Sequence, residues 1–322
     1  MTSGRSSINH LRIGTRGSLL AMAQSNLVKD AILRANPAYN VELVEVTTTG
    51  DRKQGTAAAE QGDKKEWILE LERAVLAGQT DLAVHSGKDV PCDIEAGTEI
   101  VPILEREDPS DVFIGKRLPD GNRMSWKDLP QGALVGTSSL RRKASLLRLR
   151  PDLQVVSHRG NVPTRLRKLD ESADLSGIVL AAAGIRRLGI ADLAYEAFSS
   201  SDLMPAINQA ILVVQYAKER RDLAGFLAQL VHRPTQYAFN AERGCVSVLG
   251  ADCKSSVSIY AKYISGEVSL SVRVMSGDGR DCVEILDQRC QPADALNFGM
   301  SIGRKALELG GASILASQAL KQ

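Results

Sequence analysis

The residues best suited to chemistry form a basic cluster between Gly136 and Lys168. This stretch contains nine lysines and arginines but one acid, Asp152. Arg141 and Arg142 follow a Thr-Ser-Ser sequence that predicts the cap of a helix. The free amides and the dipole at the start of a helix favour an anion, and forked guanidinium groups suit a carboxylate or a phosphate. The pattern therefore indicates an anion-binding site.

A second turn of the same kind follows along the chain. Arg159 lies in a loop after a predicted strand, and Arg165 lies on the helix that follows. An alternative interpretation, a solvated basic helix face, fits Lys143, Arg148 and Arg150. The stretch contains no phenylalanine, tryptophan or tyrosine on which a base could stack, so nucleic acid is not the expected partner. Small carboxylated ligands fit the pattern better.

A carboxylate suited to catalysis, Asp89, follows the predicted buried strand Leu82–Val84. Ligands of open α/β sheets bind at the carboxyl ends of the strands. A carboxylate there can act as a general acid or base, or can stabilise a cationic intermediate. The spacing leaves a second interpretation open, in which Asp89 caps a turn and pairs with Lys88. We interpret His85 as a hydrogen-bonded structural histidine.

The elements that position these residues alternate between helix and strand. Ser18–Leu33 has the apolar spacing of a helix, and Val41–Thr49 is rich in the β-branched residues typical of a strand. This alternation predicts a mixed, largely parallel sheet covered by helices. Apolar and polar residues alternate from Val268 to Val274, which predicts a sheet with one solvated face. With a long helix from about Ala293 onward, this region predicts a small α+β domain.

Composition limits the class of protein. The 322 residues are enough for two or three domains, and 43% of them are hydrophobic, which allows a sizeable core. The formal net charge is only +2, so anion binding must come from local clusters. Because we find neither a secretory signal nor a stretch of membrane-spanning length, we expect a cytoplasmic protein. The cysteines lack the spacing of a metal site, and we expect them to be reduced. They are Cys92, Cys245, Cys253, Cys282 and Cys290.

Six short segments occur in the order found in porphobilinogen deaminases, and the chain resembles that family from about Leu11 to Leu315. Each match is short, but six ordered matches are specific together. The segments are Thr15–Ser18, Ala83–Pro91, Glu105–Pro109, Gly136–Arg142, Arg159–Asn161 with Thr164–Leu166, and Ala183–Gly189.

The resemblance implies a fold with α/β and α+β parts, in three domains. The first two would be α/β domains similar to type-II periplasmic binding proteins, with the active site in the cleft between them. They would comprise residues 1–104 with 204–225, and residues 110–200. A small C-terminal α+β domain, residues 228–322, would carry a cofactor cysteine on a loop.

The resemblance also implies an enzyme, a hydroxymethylbilane synthase of tetrapyrrole and haem biosynthesis. Porphobilinogen would lose ammonia to give an azafulvene, which the free end of a growing polypyrrole attacks. The polypyrrole would start from a dipyrromethane cofactor attached to cysteine through a thioether, and four turnovers followed by hydrolysis would release hydroxymethylbilane. The expected partners are porphobilinogen and the polypyrrole, with no nucleic acid, membrane or metal, and the protein would be a monomer.

The resemblance assigns roles to individual residues. Asp89 would assist the loss of ammonia and stabilise cationic pyrroles, with Lys88 holding its charge state. Ser18 and Ser139 would form hydrogen bonds to the cofactor, which would be attached to Cys253. Several arginines would hold the carboxylates, and a lid would cover the site. The arginines are Arg16, Arg141, Arg142, Arg159, Arg165 and Arg187, and the lid residues are Lys64 and Trp67.

The attachment loop departs from the family pattern. Ala251–Ser256 stands where the family usually has Gly-Gly-Cys-Gln-Val-Pro, so Cys245 is a rival for the attachment role. We prefer Cys253, because it lies just before the predicted strand Ser256–Ile264, and we interpret Cys245 as a core thiol. The neighbouring Asp252 should raise the pKa of the Cys253 thiol.

Two further segments have lost glycines. The lid, Gly62–Trp67, replaces Gly-Gly-Lys-Gly-Leu-Phe, and Asn208 and Ala210 replace both glycines of the usual Pro-Ala-x-Gly-Gln-Gly. Lost glycines would stiffen a loop.

Two alternatives to the enzyme stay open: a non-enzymatic carboxylate-binding protein of the periplasmic-receptor type, and a degenerate paralogue without a cofactor. The first would normally carry an export signal and would have no use for a third domain with an aligned cysteine.

Overall fold

A computed structural model describes residues 10–46, 65–251 and 255–319. Lys64 and Cys253 lie outside the described residues, and so does the side chain of Trp67. The described residues up to Arg106, together with Ile211–Phe239, form one compact unit. Glu107–Ala210 and the described residues from Asn240 onward form the other. The predicted limits of the three domains stay a prediction.

The first unit is built on a five-stranded sheet with the order β2-β1-β3-β10-β4. Strand β1 runs parallel to β2 and β3, whereas β10 is antiparallel to both of its neighbours. Its strands are β1 (His10–Thr15), β2 (Asn40–Glu45), β3 (Leu82–Ser86), β4 (Thr98–Val101) and β10 (Leu212–Ala217). Its helices are α1 (Leu19–Ala35), α2 (Lys65–Leu76) and α6 (Arg221–Leu230).

Helix α1 shows how the sequence builds this unit. Ser18 caps the helix by accepting a hydrogen bond from the amide of Ala21 at 3.3 Å. Val28 and Ile32, one turn apart, lie on the face that packs into the core against Ile13 of β1. The predicted helix is therefore confirmed.

The second unit contains another five-stranded sheet, with the order β7-β6-β8-β5-β9. Strand β6 runs parallel to β7 and β8, and β5 is antiparallel to β8. Its strands are β5 (Asp111–Gly115), β6 (Leu134–Gly136), β7 (Gln154–Val156), β8 (Leu175–Ala181) and β9 (Glu196–Ala197). Its helices are α3 (Leu140–Leu149), α4 (Val162–Glu171) and α5 (Ala182–Arg187). Phe113 and Ile114 are consecutive residues of β5, so their side chains point to opposite faces of the sheet. They belong to two different core clusters, which shows that apolar side chains are buried on both faces.

The last part of the chain forms a three-stranded antiparallel sheet with helices. The strands follow one another in space as in sequence: β11 (Val257–Ile264), β12 (Glu267–Met275) and β13 (Cys282–Cys290). The helices are α7 (Arg233–Leu249), α8 (Ala295–Ala306) and α9 (Ala312–Ala319). The prediction of α/β parts followed by a small α+β part is confirmed by the three sheets. In the described part of the chain, no helix is long and apolar enough to cross a membrane.

The expectation of a solvated face is wrong for the central strand β12, although Arg289 of β13, which lies opposite Ser269 on the same face, is exposed. The polar residues of β12, Ser269, Ser271 and Arg273, are buried like their apolar neighbours. Neighbouring groups satisfy their hydrogen bonds: Ser269 and Ser271 bond to Asp287, and Arg273 pairs with Glu284. Alternating polarity therefore marked a buried polar face here, because hydrogen bonds replaced water.

Candidate active site

The first arginine pair lies at the start of α3, as the sequence predicts. Ser139 caps this helix, and its hydroxyl accepts a hydrogen bond from the amide of Arg142 at 3.3 Å. Arg141 and Arg142 lie in the first turn, but their side chains are only 4% and 8% exposed. Both charges are therefore largely removed from water, and they require a partner.

That partner is Asp111, at the start of β5. Its Oδ2 lies 2.7 Å from Nη2 of Arg141, and its Oδ1 lies 2.8 Å from Nη2 of Arg142. Gln209 donates a further bond from Nε2 to Oδ1, at 2.8 Å. Asp111 is not among the residues predicted from the sequence, although an acid that opens an apolar strand, Val112 to Ile114, is a signal that could have identified it.

The charges around Asp111 do not cancel. Burial alone would raise the pKa of its carboxyl, but the two guanidinium charges and their hydrogen bonds prevail and hold this pKa at about 2. Burial also lowers the pKa of Arg141, against the attraction of Asp111. Two cations and one anion leave one net positive charge in a nearly dry environment. A carboxylate ligand fits that environment better than a neutral ligand does.

Backbone carbonyls accept further hydrogen bonds from this pair. Nη1 of Arg141 donates to the carbonyl of Met204 at 2.6 Å, and Nη1 of Arg142 donates to the carbonyl of Val179 at 2.9 Å. These bonds hold both guanidinium groups in place, so the arginines also support the fold around them. Their contact with cofactor or substrate stays a prediction.

The second arginine cluster lies at the same edge of the sheet. Strands β6 and β7 are parallel neighbours, and their carboxyl ends pair at Gly136 and Val156. The Ser138 hydroxyl accepts a hydrogen bond from the amide of His158 at 3.0 Å and so ties the two loops together. Arg159, in the second loop, is exposed, and half-buried Arg165 donates from Nε to the carbonyl of Gly160 at 2.7 Å. The structure thus places the two predicted arginine-bearing turns at the carboxyl ends of neighbouring strands.

Arg187 ends the short helix α5, directly after β8. Its Nη2 donates to the carbonyl of Ala210. Burial lowers the pKa of Arg187 to about 10, against the opposing charge of Glu107. Asn208 and Ala210, which replace the two glycines of the family pattern, both have positive φ angles, 50° and 72°. The family's glycine positions thus coincide with left-handed backbone in this chain.

Asp89 and Lys88 lie in a tight turn, Gly87–Asp89, at the carboxyl end of β3. Both side chains are half-buried. Arg16 and Ser18 follow β1, the parallel neighbour of β3, so these four predicted residues share one edge of the first unit's sheet. That they act on one substrate together with the arginines of the second unit stays a prediction.

His85 is a buried, hydrogen-bonded histidine, as we interpreted it from the sequence. Its Nε2 lies 2.8 Å from Oε1 of Gln215. Nε2 of Gln215 donates to Glu72 and Thr98, so Oε1 is the oxygen that faces the ring. Burial lowers the pKa of His85 to about 4, although Gln215 and the charge of Asp89 oppose this shift. At neutral pH the ring is therefore uncharged and does not neutralise Asp89.

Cys245, the rival for cofactor attachment, is completely buried in α7. Burial, followed by the charge of Glu242, raises the pKa of its thiol to about 12. A thiol in that environment is neither ionised nor accessible, so the structure fits the interpretation of Cys245 as a core residue.

The residues present fit a cofactor that carries carboxylates. One net positive charge is buried around Asp111, and Arg159 and Arg165 lie at the same sheet edge. Arg141, Arg142, Arg159 and Arg165 would hold such a group through its acidic side chains.

Comparisons with known proteins give the family. Residues 11–225 match the family described as "Porphobilinogen deaminase, dipyromethane cofactor binding domain". The porphobilinogen deaminase of Syntrophomonas wolfei is 38% identical over 308 residues, which cover 96% of this chain and 98% of that protein. The porphobilinogen deaminase of Geobacter sulfurreducens is 38% identical over 310 residues, which cover 96% and 95%.

Among solved structures, the periplasmic aliphatic sulphonate binding protein SsuA from Escherichia coli matches with a TM-score of 0.39 and 15% identity. That match covers 74% of this chain and 70% of SsuA. The length and identity of the matches to the porphobilinogen deaminases, with the matched residues 11–225, show that the chain belongs to the porphobilinogen deaminase family.

Proposed function

We propose that this enzyme joins four porphobilinogen molecules head to tail with loss of ammonia, and then hydrolyses the product to release hydroxymethylbilane. The observation that carries the proposal is the arginine-rich edge of the second unit's sheet, where two cations face the single carboxylate of Asp111. Porphobilinogen carries an acetate and a propionate side chain, so each added pyrrole brings two more carboxylates. An edge with excess buried positive charge suits that substrate.

In this proposal the exposure of each arginine side chain decides which carboxylates it would bind. Arg141 and Arg142 are fixed by buried bonds and would hold the carboxylates of the cofactor at a constant position. Arg159 is exposed, and Arg165 and Arg187 are half-buried, so they would meet the carboxylates of the growing chain. Arg16 and the hydroxyls of Ser18 and Ser139 would add hydrogen bonds, although both serines already cap helices.

Asp89 would provide the acid. Its carboxyl group would donate a proton to the amino group of porphobilinogen as the C–N bond breaks and ammonia leaves, and the resulting carboxylate would stabilise positive charge on the pyrrole nitrogens. Lys88, its neighbour in the same turn, would hold its charge state. His85 is neutral at neutral pH, so it adds no positive charge beside Asp89.

The cofactor would be a dipyrromethane attached to Cys253 through a thioether. When bound, it would supply the pyrrole carbon to which the first substrate is joined. The matched family description names this cofactor, and the burial of Cys245 supports the choice of Cys253. A lid with Lys64 and Trp67, a monomeric state and a cytoplasmic location belong to the same proposal.

Intact mass of the purified protein, followed by peptide mapping, tests this proposal. We expect a mass excess equal to one dipyrromethane, located on the peptide with Cys253, and release of hydroxymethylbilane when porphobilinogen is added. The Cys253→Ser variant should show neither. A mass without an adduct and no product would favour the degenerate paralogue or a carboxylate-binding protein, and an adduct on Cys245 would overturn the assignment of the cysteine.

A further inference from the structure

The C-terminal sheet is bonded to the segment Ser201–Met204 by buried side chains. Arg273 of β12 donates from Nη2 to the carbonyl of Ser201 at 2.8 Å and from Nη1 to the carbonyl of Asp202 at 3.2 Å. The guanidinium group is buried and also pairs with Glu284 of β13. A buried arginine aimed at two consecutive carbonyls fixes that segment more firmly than a solvated one would.

Ser258 of β11 continues this contact. It pairs with Arg273 across the sheet, it is fully buried, and its hydroxyl donates to the carbonyl of Met204 at 3.1 Å. The same carbonyl accepts the 2.6 Å bond from Arg141. One backbone oxygen therefore joins β11 to the arginine pair that we place at the cofactor.

The strand β11 begins just after the proposed attachment cysteine. Ser256 is held on both sides: its amide bonds to Oε1 of Gln318 at 3.1 Å, and its carbonyl accepts a bond from Met275 at 3.0 Å. Three residues of extended chain span at most roughly 11 Å. The position of this anchor therefore limits where the Cys253 thiol can be delivered.

We propose that Ser258 and Arg273 are positioning residues for cofactor attachment. Ser258 fixes the strand after Cys253 to the carbonyl that also fixes Arg141, and Arg273 fixes the neighbouring strand β12 to two carbonyls of the same Ser201–Met204 segment. The inference rests on the proposed function. Attachment joins the Cys253 thiol to a group whose carboxylates the arginine pair would hold. Its rate therefore depends on the distance between the strand that follows Cys253 and the arginine pair, which both belong to the second unit. Displacements of the order of 1 Å reduce such rates strongly. Ser258 and Arg273 set that distance without touching the cofactor.

The test compares attachment rates in matched serine variants. Apoprotein purified from cells that cannot make porphobilinogen is mixed with porphobilinogen, and intact mass follows the fraction of chains that gain the adduct. Ser258→Ala should slow attachment roughly fivefold, as expected for one lost hydrogen bond. Ser269→Ala is the control, because Ser269 is a buried serine of the same sheet that bonds within it, to Asp287 at 3.2 Å. We expect its rate to match the parent.

A second pair of variants tests Arg273 in the same way, under conditions in which every variant is folded. Arg273→Lys keeps the charge but loses the fork between the two carbonyls, and Arg289→Lys changes an exposed arginine of the same sheet that pairs with Glu267. Rates are compared at a temperature at which circular dichroism shows every variant folded. Slower attachment in Ser258→Ala and Arg273→Lys, with both controls unaffected, supports the inference.

Equal rates in all four variants would overturn it and would leave the bonds to Ser201–Met204 as support for the fold alone. Parent protein that never gains an adduct would instead contradict the proposed function, so the two failures are distinguishable.

Discussion

Arg142 donates two hydrogen bonds, from Nε and Nη2, to the same carboxylate oxygen of Asp111, at 3.1 and 2.8 Å. The other oxygen of Asp111 faces Arg141. This carboxylate is fully buried and contacts both arginines, so its negative charge stabilises two cations that are largely removed from water. The stability of the second unit and the placement of its arginines therefore depend on one side chain.

Replacing Asp111 with asparagine should destabilise the protein severely. The variant keeps the shape but leaves two buried guanidinium charges uncompensated, and breaking a buried ion pair in this way costs about 3–5 kcal/mol. We expect a loss of that size in the free energy of unfolding, measured with urea. Asp120→Asn is the control, because Asp120 is exposed and bonds only locally to Asn122. A loss below about 1 kcal/mol in Asp111→Asn would contradict the role of Asp111.

The same carboxylate predicts how stability depends on pH. The pKa of Asp111 is about 2 in the folded protein and near its usual 3.8 in the unfolded chain. Its contribution to stability is fully present above the unfolded value and is lost as pH falls through the folded value. Between about pH 4 and pH 2, the parent should therefore lose stability more steeply than Asp111→Asn. Unfolding curves measured at intervals across this window check the slopes, and identical slopes would contradict the assignment.

The sequence predicted the local parts of this site well. The cap at Ser139 and the place of Arg141 and Arg142 in the first helical turn depend on residues only a few positions apart, and the structure confirms them. Asp111 is about 30 residues away from both arginines, and only the antiparallel pairing of β5 with β8 brings it to them. No local pattern contains that information.

In the C-terminal sheet the local pattern was correct, but the environment predicted from it was wrong. Alternation from Val268 to Val274 was detected correctly, but it does not state what covers the polar face. Arg273 meets carbonyls more than 70 residues away in sequence, and those carbonyls replaced the solvent that we expected. A period-two pattern predicts a strand and its two faces, whereas the partner of each face is a tertiary property.

Arg159 gives the cleanest test of carboxylate binding, because it is exposed and can be removed without disturbing the core. Arg159→Gln should raise KM for porphobilinogen, or lower the fraction of protein with cofactor, by roughly tenfold, as a lost charge-assisted hydrogen bond implies. Its free energy of unfolding should change by less than about 0.5 kcal/mol. Arg167→Gln, an exposed arginine of α4 paired with Glu171, is the control. If the two variants behave alike, Arg159 belongs to a solvated basic face.

Asp89 should be essential to turnover. Asp89→Asn keeps the shape of the side chain but removes its charge and its proton, and general acid–base catalysis contributes about 10²–10⁴-fold. We expect turnover to fall at least about a hundredfold with the fold intact, whereas Asp89→Glu should keep part of the activity. Steady-state formation of hydroxymethylbilane by folded variants with preassembled cofactor checks this. Activity of Asp89→Asn within a few fold of the parent would make Asp89 a structural turn residue.

Asn208 should be replaceable by glycine with a gain in stability. It is fully buried at a φ of 50°, and among the residues that the structure describes neither its Oδ1 nor its Nδ2 has a hydrogen-bond partner. A buried polar group without a partner costs about 1–3 kcal/mol, and left-handed backbone adds a penalty that glycine avoids. The greater freedom of glycine in the unfolded chain opposes these gains by about 0.4–1 kcal/mol, and the loss of the buried Cβ methylene opposes them by about 0.8 kcal/mol. The balance favours Asn208→Gly by about 1 kcal/mol in the free energy of unfolding.

Two further substitutions separate the causes of this gain. Ser265→Gly, in an exposed turn at a φ of 53°, relieves the backbone but no buried amide, so it should gain less than Asn208→Gly. Ala210→Gly should be close to neutral: Ala210 has a φ of 72° but is buried, and loss of its methyl group costs about 0.8 kcal/mol, which offsets the relieved backbone. Urea unfolding of the three variants measures the order. If Asn208→Gly gains no more than Ser265→Gly, the side-chain amide of Asn208 costs nothing, and the left-handed backbone alone explains the family's preference for glycine there.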